Sequence, residues 1–344
     1  MSRHSLIRGA LEALSLSRAS RWLPAAADAS GFVVTLHHVA PGAAPPFAPN
    51  ALLSITPQFL DRFLGHFIGL GWRFVSVEEL VEAGDGRDPR RIAVTLDDGY
   101  RDNLEHGWPV FRRHGVPFTI FVCPGFCDRT AELWWEALER VIGAHDELSV
   151  AGEGPTGALP TKSPAEKQRA FAAWSRWLTT EADEVRQRTA IRALAARYGL
   201  DLADLARDLV MDWDEVRRIA EHPLCTIGAH TMTHPALARL PADQALREMR
   251  DSAERIKTEI GTRPAHLAFP YGYPAAAGAR EAKLASEAGL AASFTTQPGY
   301  VPAAGARHGL PRVSVNGLFQ ELRYLEVLLS PGLWTLRDRL RKAR

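Results

Sequence analysis

Residues 91–103 read RIAVTLDDGYRDN. Ile92, Ala93, Val94 and Leu96 make the short apolar run of a buried strand, and the run ends on two adjacent carboxylates, Asp97 and Asp98, followed by Gly99. Asp and Gly at a strand end are ordinary turn chemistry, because Asp tolerates unusual backbone angles and Gly removes the steric penalty of positive φ. Two neighbouring carboxylates repel, however, and a desolvated site makes that costly unless a cation or a shared proton relieves it. The rest of the chain has to supply a counter-charge.

Working outward, strand-like and helix-like runs alternate. GFVVTLHHV (31–39) reads as a strand, and TPQFLDRFLGHFIGLG (56–71) as a helix with Thr56 as cap, Pro57 in the first turn and phenylalanines and leucines at helical spacing. Strand RFVSV (73–77), a short helix, strand 91–96, a helix over 101–115 and strand FTIFVC (118–123) follow. This order predicts an α/β fold with a parallel sheet covered by helices. Between about Ala131 and Glu221 the rhythm breaks into helical patterns without a self-similar period, so this stretch reads as an insertion. Alternation resumes with strand CTIGAH (225–230), helix 242–261, strand HLAFPYG (266–272), helix 279–289 and strands 291–296 and 310–315. About seven strands with intervening helices predict a (β/α) barrel over residues 31–320, between an N-terminal helical segment (1–30) and a C-terminal helical tail (321–344). Catalytic groups in such barrels sit at the C-terminal ends of strands, where Asp97 and Asp98 are.

Composition narrows the function. The chain has 344 residues, 46% hydrophobic and 24% charged, with a formal net charge of +1, so no polyanionic partner is indicated. No basic face or stacking motif marks a nucleic-acid binder. The one dense basic stretch, RDRLRKAR (337–344), reads as a solvated helix end or a weak membrane-surface contact. Cys123, Cys127 and Cys225 have neither disulfide-framework nor zinc-ribbon spacing. Glu12 and Arg18 interrupt the N-terminal apolar pattern before a signal-peptide core accumulates, and no stretch reaches transmembrane length, which leads us to expect a cytoplasmic protein.

The counter-charge comes from another strand end, IGAHTMTHPAL, where His230 closes the strand and His234 follows four residues later. If the chain turns into a helix there, both imidazoles share a face and can grip one cation. With Asp98 they make a two-His, one-carboxylate set suited to Zn²⁺ or another divalent transition metal with a position left for water. A dication also makes the carboxylate pair tolerable.

Here a resemblance joins the reading. TLDDGYRDN resembles the first motif of the polysaccharide deacetylase family, the nodulation-type carbohydrate esterases; HTMTH is similar to its His-Ser/Thr-x-x-His motif and FPYG to its Pro-Tyr/Phe-Gly motif. The three occur in the family's order over residues 95–272. The resemblance implies a distorted (β/α) barrel with fewer than eight strands, Asp97 as general base, and Asp98, His230 and His234 as metal ligands, with Zn²⁺ the first expectation. It implies a hydrolase that removes N-acetyl groups from N-acetylglucosamine-type units of an oligo- or polysaccharide. O-acetyl esters or small cyclic amides are alternative substrates, and a non-catalytic carbohydrate-binding barrel is the rival class.

The chemistry agrees with those roles. An acetamide is a poor electrophile, so its carbonyl needs polarising and its attacking water needs deprotonating, and a metal ion with a neighbouring carboxylate does both. The Tyr271 backbone N–H is the family's candidate donor to the tetrahedral oxyanion. The family's late Leu-x-His motif is replaced by GLPRVSV, with Arg312 where the histidine is sought. TLHHV, similar to the Tyr-His-x-Val of the poly-N-acetylglucosamine deacetylase subgroup, instead makes His37 the expected general acid, His38 its solvent- or substrate-facing neighbour and His308 a rival acid. Ala268 stands where the family's usual arginine precedes Pro-Tyr, and Arg312 is expected to orient Asp97 in its stead. Trp134, Trp135 and Trp213 either stack on sugar or seal the insertion against the barrel.

Overall fold

Arg91–Leu96 is a strand buried along its whole length, with parallel neighbours on both sides. The computed structural model describes residues 3–17, 26, 28–82, 88–149, 152–155, 157–305 and 307–342; parts of the expected N-terminal segment, of the 150–160 loop and of the basic tail lie outside these residues. The barrel strands are β1 (Ala29–Leu36), β2 (Arg73–Phe74), β3 (Arg91–Leu96), β4 (Phe118–Val122), β5 (Cys225–Ala229), β6 (His266–Ala268), β7 (Ala292–Phe294) and β8 (Val313–Ser314). The spatial order is β7-β6-β5-β4-β3-β1, all neighbours parallel. β8 runs parallel to β1, and Leu310 just ahead of it bridges Phe294 of β7. Segment 310–314 thus joins the two edges and curls the sheet into the expected barrel of seven parallel strands, while β2 adds to the start of β3.

Register brings the site together. Leu36 pairs with Leu96 and the Asp97 N–H donates to the Leu36 carbonyl, so His37 and Asp97 leave their strands at one level. Ala229 pairs with Val122 and the His230 N–H donates to the Val122 carbonyl, which sets His230 at the same end of the barrel.

The helices follow the apolar spacing. α1 (Arg3–Leu16) comes first, and α2 (Pro57–Gly69) buries Phe59, Leu60, Phe63, Leu64 and Phe67, with the Thr56 hydroxyl capping the Phe59 N–H at 3.1 Å. α3 (Val77–Glu82) follows β2. The helix expected over 101–115 runs from 101 to 114, with a π-helical stretch, Asn103–Gly107, leading into α4 (Trp108–His114). Pro109 lacks the amide that a regular α ladder would need there. The insertion holds the three expected helices, α5 (Trp134–Ala144), α6 (Pro164–Arg176) and α7 (Glu184–Arg197), and two more, α8 (Leu202–Leu209) and α9 (Trp213–Ala220). It also holds a hairpin, Glu147–Ser149 with Ala158–Pro160. α10 (Ala242–Ile260) and α11 (Ala279–Glu287) cover the last strands. α12 (Leu322–Leu328) packs Tyr324 and Val327 on Leu11 of α1, and α13 (Pro331–Lys342) completes the described fold. The three cysteines are buried and free, and among the described residues no helix is long and apolar enough to cross a membrane.

Candidate metal centre and active site

The loop after β3 turns on Asp98 and Gly99 with φ of 72° and 77°, which is why an Asp-Gly pair stands there. The loop after β6 repeats the device with Tyr271 and Gly272 at 60° and 62°; a Cβ on Gly272 would lie 2.4 Å from the Thr296 nitrogen. The loop after β5 carries Thr231 at 62° and His234 at 61°. Four of the five described non-glycine residues with positive φ therefore lie in these three loops, a concentration of backbone strain typical of functional sites at about 1–3 kcal/mol per residue. The helix expected between His230 and His234 is absent: the chain is irregular from 230 to 236, and Pro235 disfavours a helical His234. The left-handed turn brings the two imidazoles together instead.

Asp98 Oδ1 lies 3.4 Å from Nε2 of His230 and 3.4 Å from Nε2 of His234, with all three side chains at least nine-tenths buried. These separations exceed a charge-assisted hydrogen bond, and Asp98 Oδ1 is buried without a hydrogen-bond partner. Three atoms bound tetrahedrally to Zn²⁺ at about 2.0–2.1 Å would stand roughly 3.3–3.4 Å apart, so the spacing fits a shared ion. His230 Nδ1 faces the Ala268 carbonyl at 2.8 Å; the carbonyl can only accept, so Nδ1 carries the proton and Nε2 offers its lone pair. Among the described residues this is the group of histidines, cysteines and carboxylates that converges closely enough to hold a metal. Burial would raise the Asp98 carboxyl, but the two imidazoles overcome that and hold it well below the usual range.

Asp97 meets the opposite environment. Its two oxygens accept from Arg312 Nη1 and Nη2, each at 2.7 Å, and the guanidinium is fully buried. Arg312 Nε donates to the Thr295 carbonyl at 2.9 Å and Nη1 to Thr95 Oγ1 at 3.1 Å, so the fork is fixed from β3 and from the residue after β7. Burial acts to raise the Asp97 carboxyl, and Arg312 first, then His230 and His37, bring it below its ordinary value.

The remaining predicted residues divide. Burial lowers the His37 imidazole, while Asp98 and Asp97 push it up without overcoming burial, and its backbone leaves β1 at the level of Asp97. His38, expected to face solvent or substrate, is part-buried: its Nδ1 contacts Asp102 Oδ2 at 2.6 Å, Glu136 stands 3.7 Å from Nε2, and its ring packs at a tilt on Tyr100 with centroids 3.5 Å apart. Burial alone would lower it, yet Asp102 and Glu136 raise it to about 10. His308 has its Nδ1 3.3 Å from Ser293 Oγ, and partial burial lowers its imidazole. The Tyr271 ring lies 4.9 Å from that of His234, and its hydroxyl accepts from Trp134 Nε1 at 2.8 Å. Trp135 donates likewise to the buried Tyr100 hydroxyl at 2.9 Å, and Trp213 to Asp128 at 2.7 Å. All three tryptophans are at most 9% exposed, so they seal the insertion to the barrel. Sequence reasoning missed Asp102, Glu136 and Tyr100; the Asp102 signal was available in GYRDN, one turn beyond the aspartate pair.

A parallel barrel whose strand ends gather a cation-ready carboxylate and two imidazoles, next to a second carboxylate fixed by a buried arginine, is the layout of a hydrolytic enzyme. The model of the polysaccharide deacetylase family matches residues 84–292, more than half of the chain, and the chain belongs to that family of hydrolases. Among solved structures it is similar to the Streptococcus pyogenes deacetylase PplD in complex with acetate (15% identity, TM-score 0.56, covering 87% of this chain and 97% of that one). It is also similar to IcaB from Ammonifex degensii (16%, 0.55, 88% and 97%) and to a de-N-acetylase from Aggregatibacter actinomycetemcomitans (14%, 0.54, 83% and 95%). At such identities these likenesses establish the fold. No curated protein matches the sequence.

Proposed function

We propose that this deacetylase removes N-acetyl groups from N-acetylglucosamine-type units of an oligo- or polysaccharide, releasing acetate and a free amine. The observation that carries the reading is the unpartnered, buried Asp98 Oδ1 at equal distance from two imidazole nitrogens, one residue from a carboxylate already neutralised by Arg312. Asp98, His230 and His234 would hold the divalent ion, with Zn²⁺ favoured by the two-nitrogen, one-carboxylate donor set. When bound, such an ion supplies Lewis acidity toward the acyl oxygen and acidifies water. Asp97, oriented by Arg312, takes the proton of the attacking water. The Tyr271 N–H, which donates to no acceptor among the described residues, is the donor for the developing oxyanion. His37 delivers a proton to the leaving nitrogen, so that the C–N bond breaks as amine and acetate form. A specific observation favours a second reading of this last step: His38 is the imidazole that Asp102 keeps protonated.

The deciding experiment measures acetate release from N-acetylglucosamine oligomers beside O-acetylated glycans and cyclic imides, with Asp97→Asn, His37→Gln and His38→Gln variants. Release from the N-acetylated oligomers alone, lost in Asp97→Asn, supports the reading, and turnover confined to esters or imides overturns the substrate. A larger loss in His38→Gln than in His37→Gln moves the acid role to His38. We further propose a weak membrane-surface contact of α13, where Leu336 and Leu340, one turn apart, are 43% and 59% exposed; failure to co-sediment with anionic vesicles would dismiss it.

A further inference from the structure

The metal-centre reading leaves one feature without a role: the helical insertion reaches back and grips the loop that carries His234. That loop runs from Thr231 to Pro235 through two left-handed residues, and nothing in its own sequence holds it there except the Thr231 hydroxyl, which accepts from the His234 N–H at 3.1 Å. Two outside groups clamp the residue just before the histidine. From α10, Glu248 accepts the Thr233 N–H at 2.8 Å and its hydroxyl at 2.7 Å. From α7 of the insertion, Arg188 Nη2 donates to the Thr233 carbonyl at 2.7 Å and to Thr233 Oγ1 at 3.0 Å. Arg188 is itself fixed by Glu132 at 3.0 Å, and Glu132 is held on its other oxygen by Arg192. Beyond the histidine, Glu184 of the same helix accepts the Ala236 N–H at 3.2 Å.

We infer that Arg188 is a positioning residue for the metal ligand His234, and that the insertion thereby forms part of the metal site. The inference rests on the metal-centre reading above. Ligand orientation by outer partners typically changes metal affinity 10–100-fold when lost, and a backbone carbonyl one residue away sets where the His234 Cα sits and hence where Nε2 points. Arg188 suits a clean test, because its removal leaves Glu132 still paired with Arg192.

The test titrates the full-length protein with Zn²⁺ against a chromophoric chelator and records the d–d absorption of the Co²⁺-loaded form. The variants are Arg188→Met, Arg188→Lys and a control on the same helix, Arg197→Met, whose guanidinium contacts Ser149 instead. We expect about 10-fold weaker Zn²⁺ binding and an altered Co²⁺ band in Arg188→Met, partial recovery in Arg188→Lys, and wild-type values in Arg197→Met. Unchanged affinity and spectrum in a folded Arg188→Met protein overturn the positioning role while the metal centre stands. If Arg188→Met fails to fold, wild-type behaviour of Arg188→Lys, with its single-point donor, overturns it equally. Absence of Zn²⁺ binding in the wild-type protein overturns the metal-centre reading itself.

Discussion

Two histidine–carboxylate clusters lie at the strand ends, one half-buried around Asp102 and one buried around Asp98, and they are built to opposite rules. Around Asp102 every contact is closed: Oδ2 is 2.6 Å from His38 Nδ1, and Oδ1 accepts from the Val39 N–H at 3.1 Å and from Asn103 Nδ2 at 2.9 Å. Around Asp98 the nitrogens stand off at 3.4 Å and Oδ1 has no hydrogen-bond partner. The residue types are the same, so it is spacing and satisfaction that separate an internal ion pair from a place prepared for an added cation. Asp97 marks a third solution, a carboxylate whose cation is the protein's own Arg312.

The largest effect that would break this contrast is at Asp98. Replacing it with Ala should abolish Zn²⁺ binding and acetate release together, whereas Asp102→Asn should keep the ion; metal content measured on both purified proteins checks this. Next, Asp97→Asn should lower kcat by about 10²–10⁴-fold while metal content stays at the wild-type level, because the base is lost and the ligands are not. Arg312→Met should destabilise the fold by about 3–5 kcal/mol, the penalty for leaving a buried carboxylate without its partner, read by denaturant unfolding. Added Zn²⁺ should raise the wild-type Tm and leave that of Asp98→Ala unmoved, since only a folded triad binds the ion.

The smallest effect belongs to the closed cluster. The His38 imidazole is raised to about 10 by Asp102 and Glu136 against the opposing pull of burial. A group whose folded value lies above its unfolded one, here about 6.5, contributes stability fully below pH 6.5 and loses it as pH climbs toward 10. Unfolding free energies between pH 6.5 and 10 should therefore fall more steeply in wild type than in His38→Asn. Equal slopes would place the proton elsewhere.

Much of this was legible in the sequence because its signals are local. The apolar run ending at Leu96, the Asp98-Gly99 and Tyr271-Gly272 turns and the period of α2 each announce themselves within a few residues. α8 and α9 had readable caps in Asp201 and Asp212, whose side chains accept from their first-turn amides. Pro235 also argued against a helix through His234. What the chain could not announce is long-range satisfaction. The His38 partners Asp102 and Glu136 lie 64 and 98 positions away, and Arg188 meets Thr233 only once the insertion has folded back.

The central claim is spatial, so the most direct measurement is an anomalous-difference map at the zinc edge from crystals of Zn²⁺-loaded protein. The account predicts one strong peak bounded by Asp98 Oδ1, His230 Nε2 and His234 Nε2. A protein that releases acetate from its substrate while showing no peak among those three atoms would contradict it.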